Sequence, residues 1–79
     1  SEMCIRDRLK HHDAAHNTEL LRTLRTYLLA DAQLAAAASE LNVHRHTVRA
    51  RIEKVQALCG IDLANPVIRA ETLLLCLGS

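Results

Sequence analysis

From residue 17 onward, apolar positions recur along the chain at helical spacing. Leu20, Leu21, Leu24, Tyr27 and Leu28 fall at i, i+1, i+4, i+7 and i+8, one stripe of an amphipathic helix, with Arg22 and Arg25 on other faces. Asn17 or Thr18 is placed to cap its start, and the helix is predicted to end near Ala30 or Asp31. A second, shorter helix is predicted from about Gln33 to Leu41. Its run from Ala35 to Ala38 combines high helix propensity with almost no bulk, which lets two helix axes approach closely. Asn42 comes next, and Asn tolerates the left-handed conformation that ends helices. Val43 can then fold back on the core. A third helix begins at His44, where Val48, Ile52, Val55 and Cys59 repeat at i, i+4, i+7 and i+11, with Leu58 beside them, and Gly60 supplies its stop. Ile61 and Leu63 are expected to pin a short connection to the core. Asn65 and Pro66 then open a fourth helix with a capping residue and Pro at the first helical position. Val67, Ile68, Leu73, Leu74 and Leu77 give that helix an apolar side.

The first sixteen residues break this pattern. Residues 1–8 have no periodicity, and Met3-Cys4-Ile5-Arg6-Asp7-Arg8 matches the translation of a transposase end sequence used in preparing sequencing libraries. They are read as a scar that replaces the natural upstream chain and are set aside from fold reasoning. Leu9 to His16 is polar and rich in His, a frayed lead-in or linker. The expected organisation is thus 1–16 as scar plus linker, disordered or frayed, and 17–79 as a single domain.

Composition supports an all-α class. The chain has 79 residues, enough for one small core, with no Phe or Trp and Tyr27 as its only aromatic. Gly60, Pro66 and Gly78 are its only Gly and Pro residues, too few for tight hairpins. Cys4, Cys59 and Cys76 match no CxxC ligand pattern, and their odd number fits reduced thiols in a cytoplasmic protein. Cys59 and Cys76 fall on apolar stripes as core residues. No stretch is apolar enough to span a membrane, and no secretion signal is visible.

The net charge is only +1, so distribution carries the information. Between His44 and Lys54, Arg45, Arg49, Arg51 and Lys54 face Glu53 alone. Around the second and third helices the spacing is that of a helix-turn-helix. Ala38 is the small residue at the crossing, Asn42 the left-handed turn, and Val43 and Val48 the apolar locks. At about 100° per residue, with Val48 inward, Arg45 and Arg49 share one flank. His46, Ala50 and Glu53 point outward, and Thr47, Arg51 and Lys54 lie on the other flank. A helix entering the major groove needs this layout, with base-edge donors near its N-terminus and phosphate-binding cations on its sides. His44 suits capping or a phosphate contact. Arg51 lies close enough to the core for an intramolecular contact instead.

Residues 38–53, Ala-Ser-Glu-Leu-Asn-Val-His-Arg-His-Thr-Val-Arg-Ala-Arg-Ile-Glu, resemble the PucR C-terminal helix-turn-helix family, which typically reads A-x-x-L-x-V-H-R-N-T-L-x-x-R-L-E here. Leu21 to Leu28 resembles its L-x-T-L-x-x-Y-L segment, and Leu58 to Pro66 its L-x-G-x-D-L-x-x-P segment. The resemblance implies the C-terminal output domain of a bacterial transcription regulator, such as the purine-catabolism and sugar-diacid activators, behind an effector-sensing domain. It implies duplex DNA binding through residues 44–59, with His44, Arg45, His46, Thr47, Arg49, Arg51 and Lys54 as the DNA-contacting set. Two positions depart from the family. His46 stands where Asn is usual, which alters the hydrogen-bonding pattern offered to a base. Ala30-Asp31-Ala32-Gln33 replaces a loop that is often rich in Gly and Asn, so the second helix is expected to start less sharply capped.

Other chemistries find little support. His12 and His16 are four apart, but His11, His12 and His16 read as polar linker rather than metal ligands. Ser1, Ser39 and Ser79 have no base and orienting acid around them, and there is no Gly-rich phosphate loop. No cofactor, metal or enzyme activity is expected. The alternative function is a protein-interaction or dimerisation module, because Leu73, Leu74, Leu75 and Leu77 exceed what one helix side needs. The two readings are compatible, since half-sites about 34 Å apart call for paired domains and a dimeric full-length regulator.

Overall fold

A computed structural model describes residues 4–77; Ser1, Glu2, Met3, Gly78 and Ser79 lie outside the described residues. Its elements are all helical: α1 (Ile5–His16), α2 (Leu20–Leu29), α3 (Leu34–Leu41), α4 (Arg45–Cys59) and α5 (Pro66–Leu77). Helix α2 is the hub and packs against all four others, while α3 lies on α2 and α4, and α5 lies on α2 and α1. The predicted stripes of α2 and α4 meet in one core of Leu20, Leu21, Leu24, Leu28, Ala37, Ala38, Leu41, Val48, Ile52, Val55, Leu63 and Cys76. Val43, Cys59 and Ile61 pack against it from the connections and helix ends. Of the apolar side expected for α5, only Ile68 and Leu73 pack against this core, whereas Val67, Leu74 and Leu77 are exposed.

The main difference from the sequence reading is α1. Residues 5–16 form a helix where a frayed lead-in was expected, so the described residues hold five helices rather than four. Leu9 is fully buried in the shared core. Burying one Leu stabilises a small fold by about 1.5–3 kcal/mol. The Arg8 guanidinium also donates to the Leu58 carbonyl at the far end of α4, 3.1 Å away. A cation suits that position because helix C-termini carry partial negative charge and unpaired carbonyls. Asn17, in the left-handed conformation at φ 54°, ends α1 instead of capping α2.

The α2 cap comes from Asp13 across the turn. Its carboxylate accepts from the backbone N–H of Leu20 at 2.8 Å and of Leu21 at 3.0 Å, and from the Thr18 hydroxyl at 2.6 Å. Burial alone would raise the Asp13 carboxyl. Hydrogen bonds from Thr18, Leu21 and Leu20, with His12 nearby, outweigh burial and hold the group below its ordinary value. His12 also meets Thr18 at 3.2 Å and lies against the His16 ring, so its polar contacts are within this joint.

The α5 start is as the sequence predicts, with the Asn65 side chain accepting from the Val67 N–H at 2.9 Å. The three cysteines are free. Burial pushes the Cys59 and Cys76 thiols up, with Arg8 and Arg25 pulling weakly the other way, as for structural rather than reactive cysteines. No helix among the described residues is long and apolar enough to cross a membrane.

Candidate nucleic-acid interface

The bend between α3 and α4 follows from one residue. Asn42 takes φ 56° and ψ 46°, a left-handed conformation that a short polar side chain tolerates. Its N–H donates to Ser39 at 3.2 Å and the Val43 N–H donates back to Ala38 at 3.0 Å, the paired 6→1 and 5→2 bonds of a Schellman ending. Ala38 is 6% exposed and Ala37 fully buried, so the small residues do lie where the helices cross. Val48, fully buried, then fixes the roll of α4 about its axis.

That roll decides which side chains are free. His44, Arg45, His46, Arg49, Ala50, Glu53 and Lys54 are exposed, and Thr47 is half-buried. His44 is the N-cap, its Nδ1 accepting from the His46 N–H at 3.1 Å, which leaves its other ring nitrogen as the outward donor. The two imidazoles stack with centroids 4.5 Å apart and planes 15° from parallel. At the other end, Gly60 in the left-handed conformation closes α4. The Gln56 side chain accepts from the Leu63 N–H at 2.7 Å and ties the following connection down.

The use made of each arginine separates this helix from the rest of the surface. Arg6 pairs with Asp7, and Arg22 with Glu19. Arg8 donates to Leu58, Arg25 to the Cys76 carbonyl at the end of α5, and Arg69 to the Leu63 and Ala64 carbonyls. Arg51 donates to the Thr23 hydroxyl on α2 at 3.2 Å. Of the arginines among the described residues, only Arg45 and Arg49 have neither a side-chain hydrogen bond nor an ion pair. They stand one turn apart, where like charges cost a helix about 0.2–0.5 kcal/mol.

The structure therefore brings together His44, Arg45, His46, Arg49 and, on the far flank, Lys54. Arg51 is half-buried and makes the intramolecular contact that its angle allowed, donating to Thr23 and tying α4 to α2. Sequence reasoning missed Asp13 and Arg8 as residues that position α2 and α4. Both act across turns or between distant segments, where no local spacing signals them. The expectation of a weakly capped α3 holds, since Gln33 makes no side-chain cap and Asp31 and Ala32 both have positive φ.

Comparison with known proteins gives one family. The profile of the PucR C-terminal helix-turn-helix domain matches residues 20–77. The chain is similar to the proline-responsive transcriptional activator PutR of Bacillus subtilis (strain 168), 36% identical over 66 residues, 84% of this chain and 16% of that protein. It is 29% identical over 58 residues to the DNA-binding transcriptional activator AdeR of the same organism, 73% of this chain and 14% of that protein. The purine catabolism regulatory protein of the same strain is 45% identical over 47 residues, 60% of this chain and 9% of that protein. The chain thus spans at most about a sixth of the length of these relatives. No solved structure matches it at comparable significance.

Proposed function

The chain belongs to the PucR C-terminal helix-turn-helix family, and from that premise we propose that it is the DNA-binding output domain of a longer bacterial transcription regulator, with α4 lying in the major groove. The observation that carries this is the pair Arg45 and Arg49, exposed and unengaged on the outer side of a helix whose other side is buried through Val48, Ile52 and Val55 and whose direction is set by the left-handed Asn42. Arg45, His46 and Arg49 would read base edges, Arg through paired hydrogen bonds to guanine. His44, Thr47 and Lys54 would hold phosphates, through the outward His44 ring nitrogen, the Thr47 hydroxyl near the helix N-terminus and the Lys54 charge. Such a domain is a binding module and needs no cofactor. Its effector would bind the upstream part of the regulator, which would act in the cytoplasm as a dimer on paired half-sites.

Salt dependence tests the electrostatic part. Binding of the 79-residue chain to a mixed-sequence duplex should weaken steeply with salt, because each neutralised phosphate releases condensed counterions. Lys54→Ala should weaken binding uniformly across sequences and lower the log–log salt slope by about 1. A slope near zero for the parent chain would exclude this mode of binding.

A further inference from the structure

The helical state of residues 5–16 changes what their histidines can do. His12 and His16 are four residues apart, so on α1 they stand one above the other on one face, while His11 lies about 100° round the helix. Their ring centroids are 4.5 Å apart, with the ring planes inclined at 37°. His16 is exposed and His12 half-buried.

A proton count fixes the tautomer of His12. The Thr18 hydroxyl gives its only proton to the Asp13 carboxylate at 2.6 Å. Toward His12 Nδ1, 3.2 Å away, that hydroxyl can therefore only accept, so Nδ1 carries the hydrogen. In the neutral ring the lone pair then sits on Nε2. A ring N–H donated into a hydroxyl and carboxylate, with the opposite nitrogen bare, is the arrangement that orients metal-binding histidines. The stacked pair on α4 lacks it. His44 spends its lone pair, on Nδ1, as the cap acceptor for the His46 N–H, and those two rings lie within 15° of parallel.

We propose that His12 Nε2 and an imidazole nitrogen of His16 form a two-point chelate for a divalent cation of the zinc, nickel and copper group. Imidazole nitrogens suit these metals, whereas magnesium and calcium call for oxygen ligands. The metal must lie in the plane of both rings. Thr18 holds His12, and the exposed His16 closes the chelate by turning about its Cβ–Cγ bond, a torsion with a broad preference. Electrostatics favour a cation here. His16 is the last residue of α1, where the helix carbonyls carry partial negative charge, and the Asp13 carboxylate is one hydrogen bond beyond the Thr18 hydroxyl that holds His12. Among the described residues no group of three or more His, Cys, Asp or Glu is placed to hold a metal, so water completes the coordination. A site with open positions exchanges its metal, unlike the closed four-ligand sites that hold small folds together. Its occupancy ties the last turn of α1 to the turn that caps α2.

Zinc chloride titrated into the 79-residue chain, followed by calorimetry and by nitrogen-resolved NMR of the imidazoles, is the test. One zinc per chain is expected, with His12 coordinated through Nε2 while Nδ1 keeps its proton. The melting temperature should rise with zinc concentration, because the helix holds the pair together only in the folded state. His16→Ala, at an exposed position, and His12→Ala should each weaken binding by about tenfold or more, and Thr18→Val by about tenfold through loss of the orienting bond. Cys4→Ser and His44→Ala should leave it unchanged, and magnesium chloride should move no imidazole signal. Absence of a His12 Nε2 shift at millimolar zinc overturns the proposal. Binding that survives loss of both His12 and His16, or that disappears in Cys4→Ser or His44→Ala, overturns it too and places the metal elsewhere.

Discussion

Ala32→Gly is expected to stabilise the domain, although the same substitution usually destabilises a helical protein. Ala32 has φ 61° in the turn that leads into α3, directly after Asp31 at φ 54°. The turn is held there: the Ala32 N–H donates to Tyr27 at 3.0 Å and the Gln33 N–H to Ala30 at 3.1 Å. For an L-residue with a Cβ, the left-handed conformation costs roughly 1–2 kcal/mol, which Gly does not incur. Gly in turn loses more freedom on folding, about 0.4–1 kcal/mol. The difference favours Gly by about 0.5–1 kcal/mol, or roughly 2–8 °C in melting temperature for a chain of this size. Circular dichroism melts and urea titrations at several wavelengths would measure it. Ala50→Gly is the control, an exposed position inside α4 where Gly should cost about 0.8–1.0 kcal/mol. Opposite signs for one chemical change would tie the effect to backbone conformation. If Ala32→Gly melts lower than the parent, the left-handed turn is not the conformation the chain adopts.

Three further outcomes follow from the packing. Leu9→Ala should cost about 2–5 kcal/mol and lower the melting temperature by roughly 10 °C or more, since Leu9 is fully buried; an unchanged melt would mean that α1 is not docked. Asp13→Asn, which keeps one acceptor oxygen and removes the negative charge at the start of α2, should destabilise by about 0.3–1 kcal/mol at neutral pH. The folded Asp13 value lies below the ordinary 3.8, so its contribution is present above that pH and disappears as pH falls through the folded value. The variant's deficit should therefore shrink in acid, and a deficit constant with pH would count against the cap. Arg51→Met keeps the side-chain stem but loses the bond to Thr23, and should cost about 0.5–1.5 kcal/mol without altering DNA sequence preference. Altered preference with an unchanged melt would return Arg51 to the DNA-contacting set.

The sequence revealed what is encoded locally. The stripes of α2 and α4, the left-handed Asn42, the Gly60 stop and the Asn65 cap each depend on neighbours a few residues apart. The apolar side read for α5 was misplaced, since Val67, Leu74 and Leu77 are exposed and the helix buries Thr72 and Cys76. The outward angles of Arg45 and Arg49 followed from Val48 alone. What stayed hidden is held by distant partners. Helix α1 has a single fully buried residue, Leu9, so it leaves no stripe, and its anchors are Arg8 on Leu58 and Asp13 on the start of α2. Arg25 reaching Cys76 is of the same kind, a polar contact between segments 51 residues apart. Arg51 stood on the boundary, because a helical angle shows that contact with the core is possible without showing which group receives it.

The most direct measurement of the central claim starts from duplexes selected by the chain out of a random-sequence pool. Anisotropy titrations would then compare a selected duplex with the unselected pool, for the parent chain and for Arg45→Ala, Arg49→Ala and the double variant. If α4 reads base edges, each arginine contributes about 1–3 kcal/mol of discrimination. The double variant should then bind both duplexes alike, while its melting temperature holds or rises slightly as the like-charge pair is relieved. Undiminished discrimination in a fully folded double variant would contradict the assignment of α4 as the reading helix.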